Sequence, residues 1–242
     1  YFEWQTDALE AAARNAQIDG DNLASYTAVV PTVREGNYTQ IMRKDFILAD
    51  NLEVINEAGR KSEKAYQITK TGNELKRDLE FNLCGVNNAK TAGSTSAARE
   101  TGSLNTWIST NVSVGSNGAG SGSGAARTDG TQRAITETLL KTVMQATWTQ
   151  GGSPSMVMVG PHVKTVISGF AGIAAQRYQA GDGPTTIIGA ADVYVSDFGS
   201  INIVPNRFSR ARDAYVLDTD LLSVATLRPM QVVDLAKTGD AS

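Results

Sequence analysis

Residues 8–36 run through small and polar side chains, broken by Gly20, Pro31 and Gly36, between a strand-like start at residues 1–5 (YFEWQ) and a β-rich segment at residues 37–48 (NYTQIMRKDFIL). A structureless connection longer than about 15 residues is uncommon inside a compact domain. Its flanks carry strand formers, with Tyr38, Ile41, Phe46 and Ile47 on the second. The segment reads as a projecting β-hairpin arm; the plainer alternative is an ordinary hairpin with a floppy loop. An arm without a core of its own lowers its free energy by lying on a neighbour, and symmetry then repeats the contact.

The rest of the 242 residues must supply the body. A hydrophobic content of 41% suffices for a packed core, and the length fits one large or two small domains. The net charge of −3 argues against a dedicated nucleic-acid binder but leaves room for a local basic patch. The clearest helix covers residues 61–84. Ser62 is placed to cap it and Gly85 follows its last turn. Ala65, Ile68, Gly72, Leu75, Leu79 and Leu83 recur at steps of three and four, predicting one apolar face on a helix about 36 Å long. Its opening is basic: Arg60, Lys61, Lys64, Lys70, Lys76 and Arg77 are opposed between positions 60 and 77 only by Glu63 and Glu74. That stretch is either a solvated helix face or a cationic surface turned toward acidic partners or DNA phosphates.

Downstream, residues 106–114 (TWISTNVSV) alternate like a strand, and residues 115–130 (GSNGAGSGSGAARTDG) read as a flexible, low-complexity crossover or surface loop. A second helix is expected over 131–149, capped by Thr131, with Ile135, Leu139, Val143 and Ala146 facing inward. Residues 156–159 (MVMV) predict a buried strand, Pro161 opens a third helix, and a second glycine-rich loop covers 178–190. Strands are expected over 192–196, 201–204, 213–217 and 231–235. This order predicts a mixed α+β protein. Both ends read as trimmed, because Tyr1 opens directly on strand-like residues and the last residues directly follow an apolar run.

No catalytic constellation emerges. The glycines between 115 and 130 give no G-x-G-x-x-G, so a dinucleotide site is not expected. Residues 85–91 (GVNNAKT) imitate half of a phosphate-binding loop but carry Ala89 where the second glycine belongs. The single cysteine, Cys84, excludes an internal disulfide framework, and with the single histidine, His162, it falls short of a zinc ligand set. Cys84 fits a packed helix face and His162 a surface position at a helix start. No run approaches the ~18 apolar residues of a membrane span. The expected assignments are therefore no enzyme activity, no cofactor, no metal and no membrane.

Residues 1–7 (YFEWQTD), 34–41 (REGNYTQI), 59–67 (GRKSEKAYQ) and 74–80 (ELKRDLE) resemble a family of tailed-bacteriophage major capsid proteins with the Hong Kong 97-like fold. So do residues 156–161 (MVMVGP), 193–199 (VYVSDFG) and 234–240 (DLAKTGD). The resemblance implies an E-loop arm at 1–50 and a peripheral domain at 51–115 holding a spine helix at 61–84. It also implies an axial domain at 116–226 and a return to the peripheral domain at 227–242. The implied function is structural: a major head protein that self-assembles as pentamers and hexamers into an icosahedral shell around double-stranded DNA. The location would be the virion capsid, assembled in the bacterial cytoplasm, with portal, scaffold and decoration proteins as further partners. Under this reading Arg34, Arg43 and Lys44 are candidates for subunit interfaces, and Arg60, Lys61, Lys64 and Lys70 for a DNA-facing surface. The lysine, asparagine and glutamate of an isopeptide cross-link cannot be mapped here, and one cysteine excludes disulfide chainmail. The rival readings are an encapsulin-like compartment and a soluble α/β enzyme.

Overall fold

A computed structural model describes residues 1–22, 25–54, 59, 61–170, 192–236 and 239. In chain order its elements are β1 (Phe2–Thr6), β2 (Val33–Asn37), α1 (Asp50–Val54), α2 (Glu63–Glu80), α3 (Glu137–Thr149), β3 (Met156–Val159), α4 (Pro161–Ser168), β4 (Val193–Ser196), β5 (Gly199–Pro205) and β6 (Ala214–Leu217). A π-helical turn, Phe81–Gly85, follows α2, and a 3-10 turn covers Leu104–Trp107. The mixed α+β expectation fits this order. Among the described residues no helix is long and apolar enough to cross a membrane.

The body is a four-stranded mixed sheet in the order β4-β5-β3-β6, with β3 and β5 parallel and the other pairs antiparallel. Strand alternation gives it two distinct faces. Val157, Val159, Tyr194, Ile201 and Ile203 point to one face, where α3 and α4 cover them with Leu140, Met144, Val163 and Ile167. Met158, Tyr215 and Leu217 point to the other, where Cys84, Leu83, Leu104 and Ile108 cover the β3–β6 half. β3, β4, β5 and β6 form where β-branched runs predict strands, and Pro161 sits in the first turn of α4.

β1 and β2 form a separate antiparallel ribbon with Phe2 opposite Asn37 and Thr6 opposite Val33. The second strand thus precedes the β-rich segment expected at 37–48. Beyond Asn37 the backbone is taken by another loop. Asn37 Nδ2 donates to the Gly102 carbonyl (3.3 Å) and the Gly102 N–H donates back to Asn37 Oδ1 (2.9 Å). The Thr101 hydroxyl donates to the Tyr38 carbonyl (2.7 Å). A two-stranded ribbon alone is marginal in water. This one is anchored by these bonds, by Trp4 set edge-on to Trp107 (4.9 Å between centroids), and by Lys90 Nζ donating to the Gly36 carbonyl (3.0 Å).

α2 begins where expected, with Ser62 Oγ accepting from the Ala65 N–H at 3.1 Å. Its 18 residues span about 27 Å, shorter than expected, because the last turn of the expected helix, Phe81–Gly85, widens from α to π geometry. Its predicted apolar stripe is not a buried face: no residue of α2 is buried, and Leu79 remains 37% exposed. Irregular segments lie along the helix instead, with Met230 Sδ within 3.8 Å of where a Cβ on Gly72 would sit. Residues 231–235, expected as a strand, form none and are exposed. The short helix α1 precedes α2, and its Glu53 accepts from the Lys64 N–H (3.2 Å) at the start of α2.

Residues 106–114 do not form the expected strand, because Thr106 bonds back to the Ser103 carbonyl through both its N–H (3.0 Å) and hydroxyl (2.7 Å). The cap of α3 lies five residues later than predicted. Thr131 is held in a loop, its N–H on the Ser116 carbonyl (2.9 Å), and Thr136 is the cap. The buried residues of α3 are Leu140 and Met144, with Leu139, Val143 and Ala146 only partly covered. The glycine-rich loop at 178–190 lies outside the described residues.

The loop at 115–130 is built for close backbone approach rather than for looseness. Ala119 and Thr128 pair as an antiparallel bridge, and a Cβ on Gly115 would sit 2.0 Å from the Thr131 carbonyl oxygen. Gly115→Ala is therefore expected to lower the unfolding free energy by about 1–3 kcal/mol, the usual cost of overpacking, read as a shift in urea midpoint.

Candidate assembly surface

The connection between β1 and β2 is exposed throughout its described residues, 7–22 and 25–32. Its hydrogen bonds are local, such as the Asp21 N–H to the Ile18 carbonyl (3.0 Å). Yet it carries Leu9 at 100% exposure, and Ile18, Tyr26, Val29 and Val30 are also exposed. The tail at 221–236 likewise exposes Leu221, Leu227, Val232, Val233 and Leu235. Isolated apolar residues on a surface are ordinary; contiguous strips of them mark interaction sites.

The area of the whole chain makes the same point. The chain exposes 17549 Å². A compact monomer of 25.7 kDa exposes about 10,400 Å², so the excess is on the order of 7,000 Å². A standard protein interface takes about 800 Å² from each partner.

The structure separates the sequence-predicted interface residues. Arg34 faces Glu3 across the ribbon (3.6 Å) and Arg43 faces Asp45 (3.3 Å), and both guanidiniums remain mostly exposed. Lys44 lies against α2, with Nζ 3.0 Å from Asp78 and 4.0 Å from Glu74, and so ties the arm root to the helix. Arg60 lies outside the described residues. Lys61 and Lys70 are exposed. Lys64 Nζ pairs with Asp234 of the tail (3.1 Å). At 100° per residue Lys64 and Lys70 point about 120° apart, so α2 does not gather these cations into one stripe.

A charged cluster that the sequence does not announce holds the glycine loop to the sheet. Asp213, buried just before β6, accepts from Arg127 at the end of that loop, from Arg210 (3.2 Å) and from the Tyr215 hydroxyl (3.1 Å). Asp129 accepts from Arg210 and faces Arg127 and Arg212, each at 3.3 Å. Burial, reinforced by Asp213, pushes the Tyr215 phenol up, so it stays a donor. The hydrogen bond from Arg210 holds the Asp129 carboxyl below its ordinary value, helped by Arg212 and Arg127 and opposed by burial. A depressed carboxyl adds stability that is present above its unfolded value near 3.8 and lost as pH falls through the folded one. The urea midpoint is accordingly expected to fall with acidification below about pH 4, and Asp129→Asn to flatten that part of the profile.

Neither the single cysteine nor the single histidine is placed for nucleophilic chemistry. Cys84 is packed under the sheet, where burial, with Glu80 beside it, pushes the thiol up to about 11. His162 is exposed in the first turn of α4. Among the described residues no group of His, Cys, Asp and Glu could hold a metal ion.

A family model described as SU10 major capsid protein matches residues 1–242. Over 80 residues the chain is 42% identical to a major capsid protein of Escherichia phage Phieco32. That match covers 33% of this chain and 22% of the phage protein, so the aligned part is well under two thirds of that relative's length.

Proposed function

The chain belongs to the SU10 major capsid protein family, a structural and non-enzymatic component of the phage virion capsid, and from that premise we propose that it builds a closed shell. In this reading the fold is Hong Kong 97-like. Subunits form pentamers and hexamers that tile an icosahedral head around double-stranded DNA. The ribbon and its connection (1–50) act as the E-loop, and α2 is the spine of a peripheral domain at 51–115. Residues 116–226 form the axial domain, and 227–242 return to the peripheral one. The supporting observation is the set of exposed apolar side chains on arm and tail, Leu9, Ile18, Val29, Val30, Leu227, Val232, Val233 and Leu235, in segments that have no core of their own. An encapsulin-like compartment and a soluble enzyme are not favoured by the family match.

Within this reading Arg34, Arg43 and Lys44 meet carboxylates of adjacent subunits, and the exposed cations among Lys61, Lys64 and Lys70 turn toward DNA phosphates. Portal, scaffold and decoration proteins are further partners. The purified protein is expected to sediment in the megadalton range and to form closed particles in negative stain. A species that stays at 25.7 kDa or forms only a small oligomer overturns the shell, and particles lacking nucleic acid in infected cells overturn the genome-enclosing role. Reversing the charge of Arg34, Arg43 and Lys44 together is expected to lower particle yield; an unchanged yield removes them from the interface.

A further inference from the structure

The sheet face opposite α3 and α4 is only half covered. Beyond Met158 it continues into Val204, Val195 and Val193, which are 41%, 57% and 46% exposed. A groove of about 630 Å³ opens at the boundary, against the end of α2. Its floor is apolar, from Met158, Val204, Pro205 and Phe208, and its rim is cationic, from Arg77 and Arg207. Arg77 stands 5.7 Å over the Phe208 ring, and Glu80, the acidic residue on this rim, is engaged by Asn206.

The arm has the complementary chemistry. Asp7, Glu10, Asp19 and Asp21 are opposed in its first half only by Arg14, and between them stand the exposed Leu9 and Ile18. Residues 7–32 leave and rejoin the ribbon side by side, so their tip reaches about 43 Å from its end at most. We infer that the groove between the end of α2 and β5 receives residues 7–22 of a second copy, Leu9 and Ile18 covering the apolar floor and the acidic residues facing Arg77 and Arg207. This rests on the assembly reading and assigns the arm its seat. Opposite potentials would fix the register of the docked segment and exclude partners of the wrong charge.

The test uses the full chain carrying Leu9→Cys and Val204→Cys, joined by a short bis-maleimide; the native Cys84 is buried and its thiol is held protonated. Assembled particles of the double variant are expected to yield covalent ladders in multiples of the chain mass, and particles of either single variant none. Particles that form without a ladder, or a link closed within one chain, overturn the seat while leaving the shell standing; a protein that never leaves the monomer overturns both. A second measurement covers failure of the cysteine variants to assemble. Arg207→Glu is expected to reduce particle yield about tenfold, the scale of a like-charge contact at an interface, and Asp21→Lys in the same chain to restore it. Unchanged yield in the first variant, or no recovery in the second, rejects the seat.

Discussion

Asp213→Ala is expected to lower the unfolding free energy by about 3–5 kcal/mol, a large share of the ~5–15 kcal/mol that holds a typical domain together. The Asp213 side chain is 3% exposed, and it is the shared acceptor for Arg127, Arg210 and the Tyr215 hydroxyl. Its removal takes the acceptor from a phenol and leaves two guanidiniums sharing Asp129 alone where water reaches poorly: Arg127 and Arg210 are themselves only 20% and 14% exposed. The size of the effect comes from those under-compensated partners, two cations left with one carboxylate, rather than from the intrinsic strength of the pairs, which desolvation largely offsets. Arg210→Ala in the same background should therefore cost less than it does alone, with a coupling of about 1–3 kcal/mol. Urea titrations at pH 7 of the two single variants and the double variant measure this. A loss below about 1 kcal/mol for Asp213→Ala, or strict additivity, would mean that the cluster is not what holds the glycine loop to the sheet.

This cluster also marks where sequence reading stops. Arg127 and Asp213 are separated by 86 positions, and Arg210 and Asp129 by 81, so no local periodicity relates them. The available signal was the crowding of Arg207, Arg210 and Arg212 around Asp213 in a chain with only 19% charged residues, together with Arg127 and Asp129 closing the glycine run. Elements whose cause is local were legible. Ser62 caps α2 through its own hydroxyl, Pro161 fits a first helical turn, and the run at 156–159 is apolar because both faces of β3 are covered. The misplaced element boundaries share one cause, which is tertiary competition for hydrogen-bonding groups. The Asn37 side-chain amide clamps Gly102, Tyr38 gives its carbonyl to Thr101, and Thr131 gives its N–H to Ser116, so strand and helix begin or end elsewhere than propensity alone places them. The stripe on α2 misled differently. Its spacing is that of an amphipathic helix, yet irregular segments of arm and tail lie along it where a packed core was expected.

The arm itself allows a separation of folding from assembly. Replacing residues 7–32 with Asn-Gly closes the ribbon with a two-residue turn directly beyond the Thr6–Val33 pair. The monomer should keep its fold, because the described residues of the excised segment are exposed and the ribbon stays anchored through Trp4, Gly36 and Asn37. Shortening the closed loop from 26 residues to two removes entropy from the unfolded chain, so stability should rise by as much as about 2 kcal/mol. Particle formation should be lost, because the apolar and acidic groups that reach the next copy go with the loop. The paired readouts are the urea midpoint, expected unchanged or higher, and sedimentation, expected to show no megadalton species. Particles at the wild-type yield would mean that the arm does not join subunits, and its exposed Leu9, Ile18, Val29 and Val30 would need another partner. A collapse in stability would mean that the segment packs on its own body, and the physical case for an assembling chain would then rest on the tail at 221–236.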